Sequence, residues 1–134
     1  MPYICLGYLD EQQWEALSER ERNALMDACF AYDEVLRQHG HLVGGEALQS
    51  AQNATTLRYQ NGKVSLTDGP YAKTKEQVGG ILIREATDLH RAIPLMSDHP
   101  GVQAGPCEMH PAEDVPAWVA ANERRRATRH AERV

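Results

Sequence analysis

Apolar residues recur along the chain with two different periods, which predict strands and helices in turn. From Pro2 to Leu9, Ile4, Leu6 and Tyr8 fall on one side while Tyr3, Cys5 and Leu9 fall on the other. A strand apolar on both sides is expected to be covered on both. Asp10 to Leu17 predicts a short turn or helix. Ser18 followed three residues later by Glu21 is a capping box and predicts the start of a longer helix. Along it Leu25, Ala28, Cys29, Tyr32, Val35 and Leu36 recur at spacings of three and four, which places them on one face. Gly40 predicts a left-handed helix end.

Leu42 to Leu48 reads as a short strand whose Gly44-Gly45 pair predicts a bulge or a close backbone approach. Thr55 to Gln60 and Lys63 to Thr67 flank Asn61-Gly62, the strongest short-range hairpin signal, because both residues accept positive φ. Gly80 to Ala86 predicts another strand, and Thr87 or Asp88 caps a second helix carrying Leu89, Ala92, Ile93 and Met96. Pro94 inside that helix lacks an N–H and is expected to kink or shorten it. Gly105 to Pro111 predicts a last strand, and Ala112 onward a charged helix with Arg124, Arg125, Arg126, Arg129 and Arg133.

This order predicts an α+β fold: a ferredoxin-like βαββαβ sandwich with an added β-hairpin and a C-terminal helix. The length of 134 residues suits one domain, divided here into a core over 1–111 and a charged helical extension over 112–134. The net charge of −5 argues against a chain built to coat nucleic acid. The Arg-rich tail is diluted by Glu123 and Glu132 and reads as a solvated helix or one strapped across a partner subunit. Cys5, Cys29 and Cys107 have neither disulfide-framework nor zinc spacing and read as small buried thiols in a reducing compartment. The N-terminus has no basic region and only a short apolar run, so neither a signal peptide nor a membrane span is expected, and the expected location is cytoplasmic.

The stretch 68–76 is longer than a plain hairpin between two strands needs, and marks the candidate site. Asp68-Gly69-Pro70 is an efficient structural corner, since glycine supplies positive φ and proline fixes the next residue. In the functional reading the corner presents Asp68 to a cleft as a general base. Lys73, Lys75 and Glu76 form either a solvated face or part of a site, in which Lys75 clamps an anion and Tyr71 offers a phenol donor. His99, beside Pro100 and Gly101, is the histidine best placed to accept a proton, although an exposed loop histidine is the plainer reading. His39 and His41 flank a helix-end glycine and suit the helix dipole there. Neither metal nor organic cofactor is called for.

The run "DGPYAKTKEQVGGILIREATDLHRAI", from Asp68 to Ile93, resembles the YCII-related family in its DGPF-type branch, with Tyr71 in place of the phenylalanine. "LVGGEALQSAQNATTLRYQNGKVSLT" and "HPGVQAGPCEMHP" are similar to it as well, so the resemblance covers about residues 2 to 111. It implies a ferredoxin-like fold that pairs through its sheet as a dimeric α+β barrel. Simpler members of the wider group carry a proposed His/Asp pair. Its histidine sits on the first helix, which here falls near Cys29, and its aspartate precedes a proline, where this chain has His99-Pro100. Both positions therefore depart from that pattern.

Two functions follow as expectations. The first is a cofactor-free isomerase, lyase or dehalogenase for a small anionic molecule. In it Asp68 or His99 takes the proton, Lys75, Tyr71 or Arg84 holds the anion, and Gly69, Pro70 and Glu76 complete the substrate-binding set. The second is a non-catalytic ligand-binding or regulatory homodimer, which the resemblance associates with an extracytoplasmic-function sigma factor.

Overall fold

The computed structural model describes residues 1–133. Strand β1 (Pro2–Leu9) is followed by a short helix α1 (Glu11–Ala16) and the long helix α2 (Glu19–Gln38). Strands β2 (Leu42–Ala47), β3 (Thr55–Gln60), β4 (Lys63–Asp68) and β5 (Gln77–Glu85) lead to helix α3 (Leu89–Ser97). Strand β6 (Cys107–Pro111) and helix α4 (Val115–Arg133) complete the chain. Four strands form one antiparallel sheet in the order β2-β5-β1-β6, while β3 and β4 form a separate two-stranded sheet. This is the expected α+β arrangement, with the hairpin set apart from the main sheet.

Local chemistry explains most of these boundaries. At α2 the Ser18 hydroxyl accepts from the Glu21 N–H and the Glu21 carboxylate accepts from the Ser18 N–H, so both halves of the capping box form. Gly40 ends α2 at φ +77°, and Asn61 and Gly62 turn the β3–β4 hairpin at φ +52° and +76°. Asp88 is the cap of α3. That helix passes through Pro94 and stops three residues later, so the proline goes with a helix of only nine residues. The bulge in β2 lies at Val43, since Leu42 faces Arg84 and Gly44 faces Ile83. A second bulge in β5 leaves Gly79 between the Gly7–Gly80 and Tyr8–Val78 pairs.

The helix-facing side of the main sheet holds the core. Tyr3, Ala86 and Ala92 cluster there, with Leu95 and Met109 packed against them. By strand alternation Ile4, Leu6, Ile81 and Ile83 point to the opposite face, where they are half-buried. The hairpin behaves differently. Leu57, Tyr59, Val64 and Leu66 share one of its faces through the Leu57–Leu66 and Tyr59–Val64 pairs, and all four are exposed. Among the described residues no helix is long and apolar enough to cross a membrane.

Candidate functional site

A cleft of about 680 Å³ opens between α2 and the main sheet. Trp14 from α1 and Leu25, Met26 and Phe30 from α2 form an apolar wall, and strands β1, β2 and β5 form the floor. Asp33 and His99 both line it.

His99 is placed by its own short sequence. Pro100 opens a 3-10 turn over Pro100–Gln103, and the His99 side chain caps that turn by accepting the Gly101 N–H at Nδ1 over 2.9 Å. A backbone N–H can only donate, so Nδ1 of the neutral ring is the acceptor and Nε2 carries the proton. Nε2 donates that proton to Asp33 Oδ1 over 2.9 Å. Tyr32 meets the imidazole edge-on, with ring centroids 5.3 Å apart, and its hydroxyl donates to the Leu95 carbonyl over 2.6 Å. The imidazole is therefore oriented on three sides and is only 7% exposed.

Arg84 reaches the same carboxylate from the sheet. It faces the helices from β5, is fully buried, and donates from Nη2 to Asp33 Oδ1 over 3.4 Å. Its Nε donates to the Met96 sulfur over 3.1 Å, a weak acceptor, and its Nη1 has no partner among the described residues. One oxygen of Asp33 thus takes both donors, and the side chain keeps 16% of its surface open. The second oxygen accepts no hydrogen bond among the described residues, which leaves it available on the cleft side. The arrangement is a carboxylate positioned by an imidazole and a guanidinium, suited to taking a proton at Asp33 Oδ2. His99, with both nitrogens engaged, serves to orient it.

All three cysteines line this cleft. Burial pushes the Cys5 thiol up to about 11, with neighbouring Cys107 adding to the effect. Burial also raises Cys29, with the Asp33 charge adding to it, and burial raises Cys107. The thiols are free and are held protonated at neutral pH. Among the described residues no three His, Cys, Asp or Glu side chains are grouped to hold a metal ion.

The other residues singled out in the sequence lie elsewhere. Asp68 ends β4 on the exposed hairpin, outside the cleft lining. Gly69 takes φ +100°, its N–H donates to Ala54 O over 2.7 Å, and its carbonyl accepts from Thr56 Oγ1 over 2.8 Å. The Asp-Gly-Pro run is thus seen as a corner stitched to β3, with Pro70 half-buried in it. Tyr71 is 73% exposed and lies beneath the Arg58 guanidinium at 4.8 Å. Lys75 lies 3.6 Å from Asp10 Oδ2, while Asp10 Oδ1 caps α1. Glu76 is exposed, and its carbonyl accepts from Thr74 Oγ1. Of the residues expected to act together, only His99 and Arg84 meet, through Asp33. Asp33 was not anticipated. The available signal was the helix position near Cys29 that the resemblance implies for one member of a pair: Asp33 lies one turn after Cys29, on the same helix face.

Comparison with known proteins agrees with this placement of chain and fold. The profile of the YCII-related domain matches residues 1–115. "Uncharacterized protein R00369" of Rhizobium meliloti (strain 1021) is 32% identical over 98 residues, covering 73% of this chain and 79% of that one. A solved structure of 5-chloro-2-hydroxyhydroquinone dehydrochlorinase from Burkholderia phenoliruptrix AC1100, in complex with 2,5-dihydroxybenzoquinone, is similar at a TM-score of 0.50. It is 16% identical, and the likeness covers 84% of this chain and 94% of that chain.

Proposed function

The chain belongs to the YCII-related family, and from that premise we propose that its cleft carries cofactor-free proton-transfer chemistry on a small, acidic ring compound. The observation that carries this reading is Asp33: one oxygen is held by His99 and Arg84, and the other is left free in an apolar cleft. Asp33 Oδ2 takes a proton from the substrate, and the released electron pair moves into the ring. Where the receiving ring carbon bears a halide, the proton is delivered to that carbon, and removal of a second hydroxyl proton then expels the halide with its bonding pair, for a net loss of hydrogen halide that needs no oxidant or reductant. Where no halide is present the proton returns at another carbon and the result is an isomer. Arg84 favours negative charge building up on the substrate, and the apolar wall excludes competing water. The name of the dehydrochlorinase neighbour supports hydroxylated, chlorinated rings as the first substrates to test.

The test is release of chloride from 5-chloro-2-hydroxyhydroquinone, followed with an ion electrode. Asp33→Asn is expected to lower kcat roughly 100- to 10,000-fold while the chain stays folded. Full activity in that variant would remove Asp33 from the chemistry. Binding without turnover across a panel of such rings would favour the non-catalytic reading, as would capture of an extracytoplasmic-function sigma factor by the purified chain.

The functional unit is proposed to be a homodimer. A two-stranded hairpin is marginal in water unless an apolar face is packed. Here Leu57, Tyr59, Val64 and Leu66 form such a face and remain exposed in the single chain, and Ile4, Leu6, Ile81 and Ile83 are only partly covered. A second copy of the chain would supply the cover for both. Light scattering is expected to give twice the chain mass, and Leu57→Lys with Leu66→Lys to give a monomer. A wild-type chain that stays monomeric at micromolar concentration would refute the dimer.

A further inference from the structure

Charge is sparse and uneven in the cleft. Asp33, Glu34 and Glu46 bring carboxylates to its lining, and Arg37 is the one lysine or arginine among the described lining residues. Arg84 is fully buried and does not line the cleft, so it acts there through Asp33. His99 has both ring nitrogens engaged. The full positive charge that a molecule bound in the cleft can touch is therefore that of Arg37.

The sequence of α2 sets Arg37 beside the candidate base. Met26, Phe30, Asp33 and Arg37 recur at helical spacing, and all of them line the cleft. Arg37 follows Asp33 by one turn, with about 5–6 Å between their Cβ atoms. An acid and a cation so spaced commonly pair. Here Asp33 Oδ1 is held by His99 and Arg84, and Arg37 Nη1 donates to Glu34 Oε2 over 2.6 Å. Base and cation therefore stand side by side along the cleft without neutralising each other.

The pair with Glu34 is a weak reason for an arginine at this position. Both side chains are more than half exposed, at 59% and 56%, and such a surface pair contributes little. A lysine would pair as well and would suit the last turn of a helix equally. What distinguishes arginine is its fork. Nε and Nη2 donate to nothing among the described residues, and together they present two parallel N–H groups, the geometry that matches a carboxylate. The Asp33 carboxylate repels an anion in its own part of the cleft, which turns the acid group of a bound molecule towards Arg37.

We propose that Arg37 is a specificity-determining residue: its free Nε–Nη2 edge binds a carboxylate on the ring compound, so that the cleft selects ring carboxylic acids over neutral rings of the same shape. The inference rests on the cleft being the binding site named above, narrows its acidic ligand to a carboxylate, and is independent of turnover. With the carboxylate on Arg37, the ring lies against the apolar wall of Met26 and Phe30, and its remaining substituents reach Asp33 one turn away.

The test titrates 2,5-dihydroxybenzoate and its uncharged counterpart 2,5-dihydroxybenzamide into the wild-type chain, Arg37→Gln and Glu34→Gln, with binding followed by backbone amide NMR shifts. In the wild type the carboxylate is expected to shift the amides of Asp33 and Gly45, and to bind roughly tenfold or more tightly than the benzamide. Arg37→Gln is expected to bind both probes alike. Glu34→Gln loses the same ion pair and is expected to keep the preference, which a purely structural role for Arg37 would not allow. The proposal is overturned if the wild type shows no preference, if the carboxylate leaves those two amides unshifted, or if the preference survives in Arg37→Gln. It is overturned equally if Glu34→Gln loses the preference as Arg37→Gln does, since the ion pair alone would then explain it. The expected preference in a chain that turns over no ring compound would sink the catalytic reading and leave Arg37 standing as the carboxylate-binding residue.

Discussion

Asp33 on α2 and Arg84 on β5 are joined by one N–H···O contact of 3.4 Å, and no other carboxylate among the described residues pairs with that buried guanidinium. Removing one partner of such a pair strands a charge away from water. Asp33→Ala is therefore expected to cost about 3 kcal/mol, read as a lower urea midpoint. Replacing both, as Asp33→Ala with Arg84→Met, should recover most of the loss. A single variant within 1 kcal/mol of wild type would show that the contact carries little stability.

Alkaline pH tests the buried thiols. The Cys5 thiol is raised in the folded chain to about 11 from an ordinary value of 9.0, so the folded state favours the protonated form. Its contribution is fully present below pH 9.0, and is lost as pH rises through about 11. Chemical denaturation across that window should show falling stability, and Cys5→Ala should flatten the fall. An equal slope in both chains would locate the alkaline loss elsewhere.

Acid tests the start of α2. Hydrogen bonds from the Ser18 backbone and side chain hold the Glu21 carboxyl below its ordinary value of 4.5. The stabilisation is present above pH 4.5 and is lost as pH falls through the lowered value. Ser18→Ala is expected to cost about 1 kcal/mol at neutral pH. Glu21→Gln, which can still accept at the cap, should remove much of the acid dependence seen by circular dichroism.

Gly69 separates corner from chemistry. At φ +100° any residue with a Cβ is strained, although open space surrounds the position. Gly69→Ala is expected to destabilise the chain by about 1–3 kcal/mol. Probe binding in the cleft, measured on the folded fraction, should be unchanged. A loss of binding that exceeds the loss of folded protein would bring the Asp68 loop back into the site.

The elements that could be read from sequence are those decided locally. The Ser18–Glu21 box, the Asn61-Gly62 turn and the Gly40 helix end each rest on residues within four positions of one another, and each forms as expected. His99 was visible for the same reason, since its cap on Gly101 is written in His-Pro-Gly. Asp33 was not visible. It lies next to Glu34 on a helix with several acids, and only contact with residues 51 and 66 positions away distinguishes it. Here the acid is on the helix and the imidazole in the loop, the reverse of the arrangement that the resemblance implies. The loop from Asp68 to Glu76 looked like a site because it sits between strands in sequence. The flanking strands β4 and β5 belong to different sheets, so nearness along the chain does not bring the loop to His99.

The position of β1 has a consequence for how the protein is made. Strand β1 is synthesised before both of its partners: among the described residues it pairs with residues 77–85 and 107–111 alone. At ordinary rates of synthesis its two apolar sides wait roughly 4–15 seconds for β5 to emerge. During that interval the nascent chain has the α2 helix and its own local hairpin but no central sheet, so a chaperone that shields residues 2–9 would have most to protect in this stretch.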